Sequence, residues 1–403
     1  MRNTISKFAA GSLVAACMFG FQAMAADYTL SDFFTAAASY TPNKLKASVF
    51  AEVGYDDNIH NAVHKYERDS LYLKAGVSAD IYRTKGDISY GLLGQVSFDY
   101  YDHDAHDMNQ FEWSLAPHLL GKFEVLGNDT LMISLRSRNK KEKIDAADTR
   151  YARKMVNGIS LAYDINPHDK FGLAIDSSYD NTYYSQKEFK DHNKQDFDVA
   201  ATPYYKISEK VKAGVSVGYS TTVYDKHDTY SDSKMLTIMG MVDYRMTDMF
   251  GVNVKAGAQK KYMAGRARDC RYDRDFKPAA TIALRYLPNK SMVTELRSHY
   301  GLDDGCSSRG IRTVWENSLG MIWSITEKIT LAPRTGYYIH DEKERVANGL
   351  DTAEFFISTT AEYKFNEHFL TYLTYKYNNT QYKYDDDRDY DVNEVKFGVK
   401  YTF

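Results

Sequence analysis

The sequence predicts an all-β fold, an up-and-down antiparallel barrel of about 18 strands embedded in a membrane, with 16 as the runner-up count. Three observations predict it. Runs of residues alternate apolar and polar with a period of two, the connectors between runs alternate short and long, and an aromatic recurs two residues before the short connectors.

The alternation is plain in KVKAGVSVGYS, where Val211, Ala213, Val215, Val217 and Tyr219 share one face and Lys212, Gly214, Ser216, Gly218 and Ser220 the other. Period two is the signature of a strand with one apolar and one polar face. SLYLKAGVSADI, FEWSLAPHLLGKF and VNEVKFGVKYTF repeat it. Strands are expected to begin near Leu45, Leu71, Ile88, Phe111, Leu131, Met155, Phe171, Phe197, Val211, Leu236, Val252, Phe276, Met292, Ile311, Ile329, Ala353, Phe369 and Val392. Even-numbered runs end in tight turns such as TKGD, NPHD, SEK and NEH, whereas odd-numbered runs end in longer charged loops such as YDHDAHDMN and KYDDDRDYD. Short turns on the periplasmic side and longer loops outside are the habit of membrane barrels. A composition of 34 Tyr but only 7 Pro suits strands. No stretch of the mature chain is apolar for as long as a spanning helix requires, and the mean hydropathy of −0.52 would otherwise suggest a soluble protein.

The recurring corner is YDINPHDKF, YKISEK, YRMTDMF, YLPNKSM, WSITEKI and YKFNEHF. Aromatic rings collect where lipid meets water, because the ring is apolar and its OH or NH seeks water. Tyr163, Tyr205, Tyr244, Tyr286, Trp323 and Tyr363 are therefore expected to form one periplasmic girdle. The rival, a soluble β-sandwich with aromatics in its core, leaves the even strand spacing and alternating loop lengths unexplained. Pro117, Pro203, Pro278 and Pro333 fall on outward strand positions, where each is expected to mark a bulge or a local widening.

The chain opens with Arg2 and Lys7, an apolar run from Phe8 to Phe21, and Ala23-Met24-Ala25. This reads as a secretory signal peptide over 1–25, and the alternative is a lipoprotein box ending at Cys17. Residues 26–43 form a periplasmic or lumenal segment with a short helix, and 44–403 the barrel. The net charge of −3 argues against a nucleic-acid partner. Export places Cys270 and Cys306, in neighbouring external loops, where a disulfide between them persists.

The last strand, with Phe397, Val399, Tyr401 and Phe403 on one face, resembles the terminal strand of outer-membrane β-barrel proteins. That resemblance implies that Phe403 is part of a signal read by the outer-membrane assembly machinery. AEVGYDDNI near the first strand is similar to the opening of β-barrel porins.

The polar members of each alternation face the lumen. They include Lys122, Arg136, Arg138, Lys255, Arg297, Arg312 and Arg334, against Glu52, Glu112, Glu295, Glu316, Glu354 and Glu362. Arg297, Arg312 and Arg334 fall on three consecutive strands, with Arg136 roughly across the pore, an arrangement that would draw anions. The competing reading is that Glu295 and Glu316 neutralise them. DHDAHD and DDDRDYD match no established metal site, and no metal or cofactor is expected. The basic stretches Arg138–Lys143 and Arg266–Arg274 could meet lipopolysaccharide phosphates. No nucleophile motif lies beside His103, His106, His299 or His340, so an enzyme is not expected.

The function expected is passive diffusion of small hydrophilic solutes through an outer-membrane, porin-like channel. The alternatives are a surface-interaction barrel that binds ligands through its loops and a polysaccharide export channel. No external loop is long enough to fill the pore, and the oligomeric state is not encoded in any pattern read here.

Overall fold

A computed structural model describes residues 44–58, 69–85, 88–102, 109–123, 129–143, 151–166, 169–225, 232–264, 275–289, 291–302, 312–342, 352–382 and 389–403, with the side chains at 121–123 among those left out. The expected leader, the segment 26–43, Cys270, Cys306 and most of the DHDAHD loop lie outside the described residues.

Eighteen strands form one sheet: β1 (Lys44–Asp56), β2 (Ser70–Lys85), β3 (Ile88–Tyr101), β4 (Gln110–Phe123), β5 (Asp129–Lys143), β6 (Tyr151–Ile165), β7 (Phe171–Tyr184), β8 (Lys194–Lys206), β9 (Val211–Tyr224), β10 (Asp232–Arg245), β11 (Phe250–Ala264), β12 (Lys277–Asn289), β13 (Met292–Leu302), β14 (Arg312–Ser324), β15 (Ile329–Glu342), β16 (Thr352–Lys364), β17 (Phe369–Tyr382) and β18 (Tyr390–Thr402). Each begins within four residues of its expected position. Every strand pairs antiparallel with its sequence neighbours, and β1 pairs with β18, so the sheet closes and leaves no edge. Ser48 Oγ and Thr402 Oγ1 at 3.0 Å, and the Phe403 N–H donating to Ala47 C=O at 2.8 Å, fasten the periplasmic end of that seam.

Alternation sorts the side chains as the period demands. Outward positions carry Val77, Phe98, Leu373 and Phe397, each about half exposed, an arrangement that is stable only where lipid rather than water covers the face. Eighteen strands about 4.8 Å apart and tilted about 40° enclose a backbone cylinder on the order of 35 Å across. Such an interior is too wide to be filled by one layer of side chains.

Four of the short turns share one solution. The side-chain oxygen at the head of the turn accepts the backbone N–H three residues on: Ser208 from Val211 at 3.1 Å, Thr247 from Phe250 at 3.0 Å, Thr326 from Ile329 at 3.0 Å and Asn366 from Phe369 at 2.8 Å. Ser, Thr and Asn compete well for these donors, which is why one of them heads each corner. At NPHD, Asn166 adopts φ 54°, a region that Asn tolerates better than most residues.

Of the two expectations at the prolines, a bulge or a local widening, no inserted residue appears at these four, and at three of them one ladder opens instead. At Pro117 the β4–β5 ladder skips two residues between Leu115↔Ser137 and His118↔Ser134 and resumes in register. Pro203 and Pro333 interrupt one neighbouring ladder in the same way, and Pro278 pairs with Ala258. Losing one donor does not require an inserted residue. Among the described pairings, the register shifts only between Tyr286 and Asn289, a stretch that contains Pro288.

Candidate lumenal site

The inward face is built from charges, tyrosines and glycines. On β2–β4, Lys74 Nζ lies 3.0 Å from Asp99 and 2.8 Å from Glu112. From β5, Arg136 donates to Asp180 on β7 through Nε at 2.8 Å and again through Nη2. That pair spans β6 at Gly158, where a Cβ would stand 2.1 Å from Asp180 Oδ1. Only a hydrogen at Gly158 lets the two charges meet across an intervening strand.

Rings on this face lie flat, each against a glycine directly opposite. Tyr72 covers Gly54, Phe50 covers Gly76, Tyr204 covers Gly172, Phe356 covers Gly336 and Tyr372 covers Gly398, with a virtual Cβ between 2.2 and 2.6 Å from the ring in every case. A ring held tangentially leaves the channel clear and sends its hydroxyl along the wall. Tyr72 Oη donates to Glu394 at 2.8 Å and Tyr204 Oη to Asp164 at 2.6 Å, while Tyr372 Oη donates to Glu52. Lys212 Nζ sits 3.6 Å from the Tyr204 ring centre.

The wall from β12 to β15 differs. Arg297 has Ala283 and Ser318 as its cross-strand neighbours, and Arg334 has Gly320 and Ser358. Arg334 lies 5.4 Å from the Phe356 ring centre, and Phe356 lies against Tyr338 at 5.4 Å. Glu295 stands opposite Arg285, Glu316 opposite His299, and Arg312 opposite Glu342. Thr281 Oγ1 and His299 Nδ1 are 2.9 Å apart. Lys255 lies between Met241 and Thr281 on its neighbouring strands.

All nine residues expected to line the pore occupy inward register positions: Lys122, Arg136, Lys255, Arg297, Arg312, Arg334, Glu112, Glu295 and Glu316. The structure brings Arg136 to Asp180 and Glu112 to Lys74. The side chain of Lys122 lies outside the described residues. Among the described residues, no group of three or more His, Cys, Asp or Glu could hold a metal ion.

One feature at the outer mouth departs from the pattern of simple hairpins. Between β7 and β8, Lys187–His192 form a 3-10 turn whose Phe189 packs in a buried cluster with Ala152 and Tyr184. Both partners occupy inward positions, so the loop folds over the rim toward the lumen. Arg153 N–H donates to Gln186 Oε1 at 2.9 Å and Tyr184 N–H to Asn193 Oδ1 at 2.7 Å, which pins both ends. Loop length alone concealed this, because a nine-residue loop can lean inward without filling the pore. The apolar Phe189 within the charged stretch KEFKDH was the available signal.

The six aromatics preceding the short turns point outward, among them Tyr286 at 45 % exposure. Tyr163 Oη donates to Asp129 at 2.8 Å, and Phe171 packs on Tyr205 at 4.7 Å. A second set of outward aromatics lies toward the loop ends, with Tyr55, Tyr100, Phe111, Tyr262, Tyr300 and Trp315 exposed. The sequence reading missed this set because long loops do not fix a spacing from ring to turn.

No protein-family model and no curated protein matches this sequence. Among solved structures, the chain is similar to the Pseudomonas aeruginosa outer membrane protein OpdK (TM-score 0.47, 11% identity, covering 89% of this chain and 98% of that one). It is also similar to P. aeruginosa OccK2 (OpdF), solved in complex with glucuronate (0.46, 11%, 89% and 98%), and to P. aeruginosa OprD (0.43, 10%, 91% and 97%). These likenesses are distant. The description of the chain as an outer-membrane β-barrel stands on its closed register and apolar belt.

Proposed function

We propose that the protein is a passive channel for small hydrophilic solutes across the outer membrane, with a mild preference for anions. The observation that carries this reading is the β12–β15 wall, where Arg297 and Arg334 stand among small neighbours inside a water-wide barrel. A fixed cation bordered by Ala, Ser and Gly projects its field into the lumen and raises the local anion concentration. On other strands Arg136 meets Asp180 and Lys74 meets Glu112.

Export by a cleaved leader over 1–25, a periplasmic girdle of Tyr163, Tyr205, Tyr244, Tyr286, Trp323 and Tyr363, and recognition of the Phe403 strand by the assembly machinery complete the reading. A Cys270–Cys306 bridge would tie two external loops together. Intact mass with and without reductant tests the bridge, and two free thiols in the unreduced protein would exclude it. The function itself is tested by planar-bilayer recording of the refolded chain under a salt gradient. Stable conductance with a reversal potential on the anion side supports the proposal, and a folded barrel that conducts nothing rejects it.

A further inference from the structure

Arg334 faces the lumen from β15 with no acid at the inward positions beside it. On its own strand and the two next to it, those positions carry Ala332, Gly336, Ser318, Gly320, Ser358 and Phe356. Its Nε is buried and makes no hydrogen bond among the described residues. An arginine has many rotamers and, without an anchor, spreads its charge over all of them. A field that selects ions needs the charge held at one point of the cross-section.

The anchor is a ring. Phe356 stands directly opposite Gly336, so it falls between Arg334 and Tyr338 along β15. A Cβ at Gly336 would stand 2.3 Å from the Phe356 ring, and the hydrogen there lets the ring lie on the wall. Tyr338 closes the flank toward the loop end, its ring centre 5.4 Å away and its plane tilted by 32°. Arg334 takes the other flank, its guanidinium carbon 5.4 Å from the Phe356 ring centre. The π system attracts the cation without cancelling its charge.

Lys212 supplies a contrast. It also sits over a ring, 3.6 Å from the centre of Tyr204, but the hydroxyl of that ring donates to Asp164 at 2.6 Å. The cation there has a carboxylate at the far end of the same ring. Phe356 has no hydroxyl, so it steadies Arg334 without bringing an acid to it.

The geometry points to Phe356 as the positioning residue of the anion-selective arc. Seated on Gly336 and backed by Tyr338, it holds the Arg334 guanidinium at a fixed place in the channel through its ring rather than its bulk. The inference rests on the proposed anion preference and deepens it.

The test is planar-bilayer recording of the full refolded barrel, reading conductance and reversal potential separately for each variant. R334A sets the scale. F356L and F356M keep apolar bulk but remove the ring, and each should lose about half or more of the anion preference that R334A loses, at nearly wild-type conductance. In the R334A background, F356L should add nothing. G336A should tip the ring into the lumen and lower both conductance and preference, whereas G336A/F356A should recover the conductance alone. Heat-modifiable gel mobility confirms that each variant is folded. Full anion preference in F356L and F356M overturns the inference and leaves the role of Arg334 standing, as does preference regained by G336A/F356A. A loss in F356L that persists in full on top of R334A also overturns it, because Phe356 would then act through another group. Unaltered preference in R334A itself removes the reading of that wall, and the inference with it.

Discussion

On the wall that runs from β18 to β8, charges meet partners within one or two strands. Glu394 is held by Lys396 at 2.9 Å and by Tyr72, Glu112 by Lys74, Asp180 by Arg136, and Asp164 by Tyr204. On β12–β15, the arginines at 297 and 334 are bordered by Ala283, Ser318, Gly320 and Ser358. The same residue types thus serve as wall mortar in one arc and as a field source in the other. What separates the two uses is cross-strand register, which sets which residue stands directly opposite each cation.

Breaking the engaged wall should have the largest effect. D180A leaves Arg136 without its carboxylate in a partly enclosed site and is expected to cost about 2–3 kcal/mol, read as an earlier urea midpoint. G158A, with its Cβ 2.1 Å from Asp180 Oδ1, should destabilise by about 1–3 kcal/mol and should be largely neutral in the D180A background. Full additivity of the two changes would mean that Gly158 does not serve the pair.

The flat rings sharpen the comparison. At Gly398 a Cβ would stand 2.2 Å from the Tyr372 ring, so G398A should tip that ring off the wall into the lumen. Single-channel conductance should fall, while G398A/Y372A should recover it. An unchanged conductance in G398A would show that the ring can lie elsewhere along the wall.

Much of this architecture was legible in the chain. Period-two runs such as Val211 to Tyr219 place each strand, because lipid outside and water inside impose opposite demands on alternate residues. The same parity placed Arg297, Arg312 and Arg334 inward. Pairing was not legible. That Arg136 reaches Asp180 depends on a register set by two turns and on a glycine between them, none of which a single strand encodes. The inward fold of Lys187–His192 depends on Phe189 finding Tyr184 and Ala152, a contact made across three elements. At the prolines the sequence left a bulge and a local widening both open, because one lost donor can open a gap in a ladder without shifting it.

The turns offer the smallest test. S208A removes the acceptor for the Lys210 and Val211 N–H groups at one of several similar corners and should cost about 0.5–1 kcal/mol in urea unfolding, with conductance unaltered.

The central claim is that one arc of the wall sets the field in the channel, and the reversal potential under a salt gradient tests it most directly. Wild type should conduct in stable steps on the order of a nanosiemens with the potential displaced toward anions, more so at low ionic strength. R297A/R334A should lower the anion-to-cation permeability ratio about twofold or more, while K74A, taken from the engaged wall, should move it little. Loss of preference in K74A with none in R297A/R334A, or no conductance from folded protein, would contradict the account.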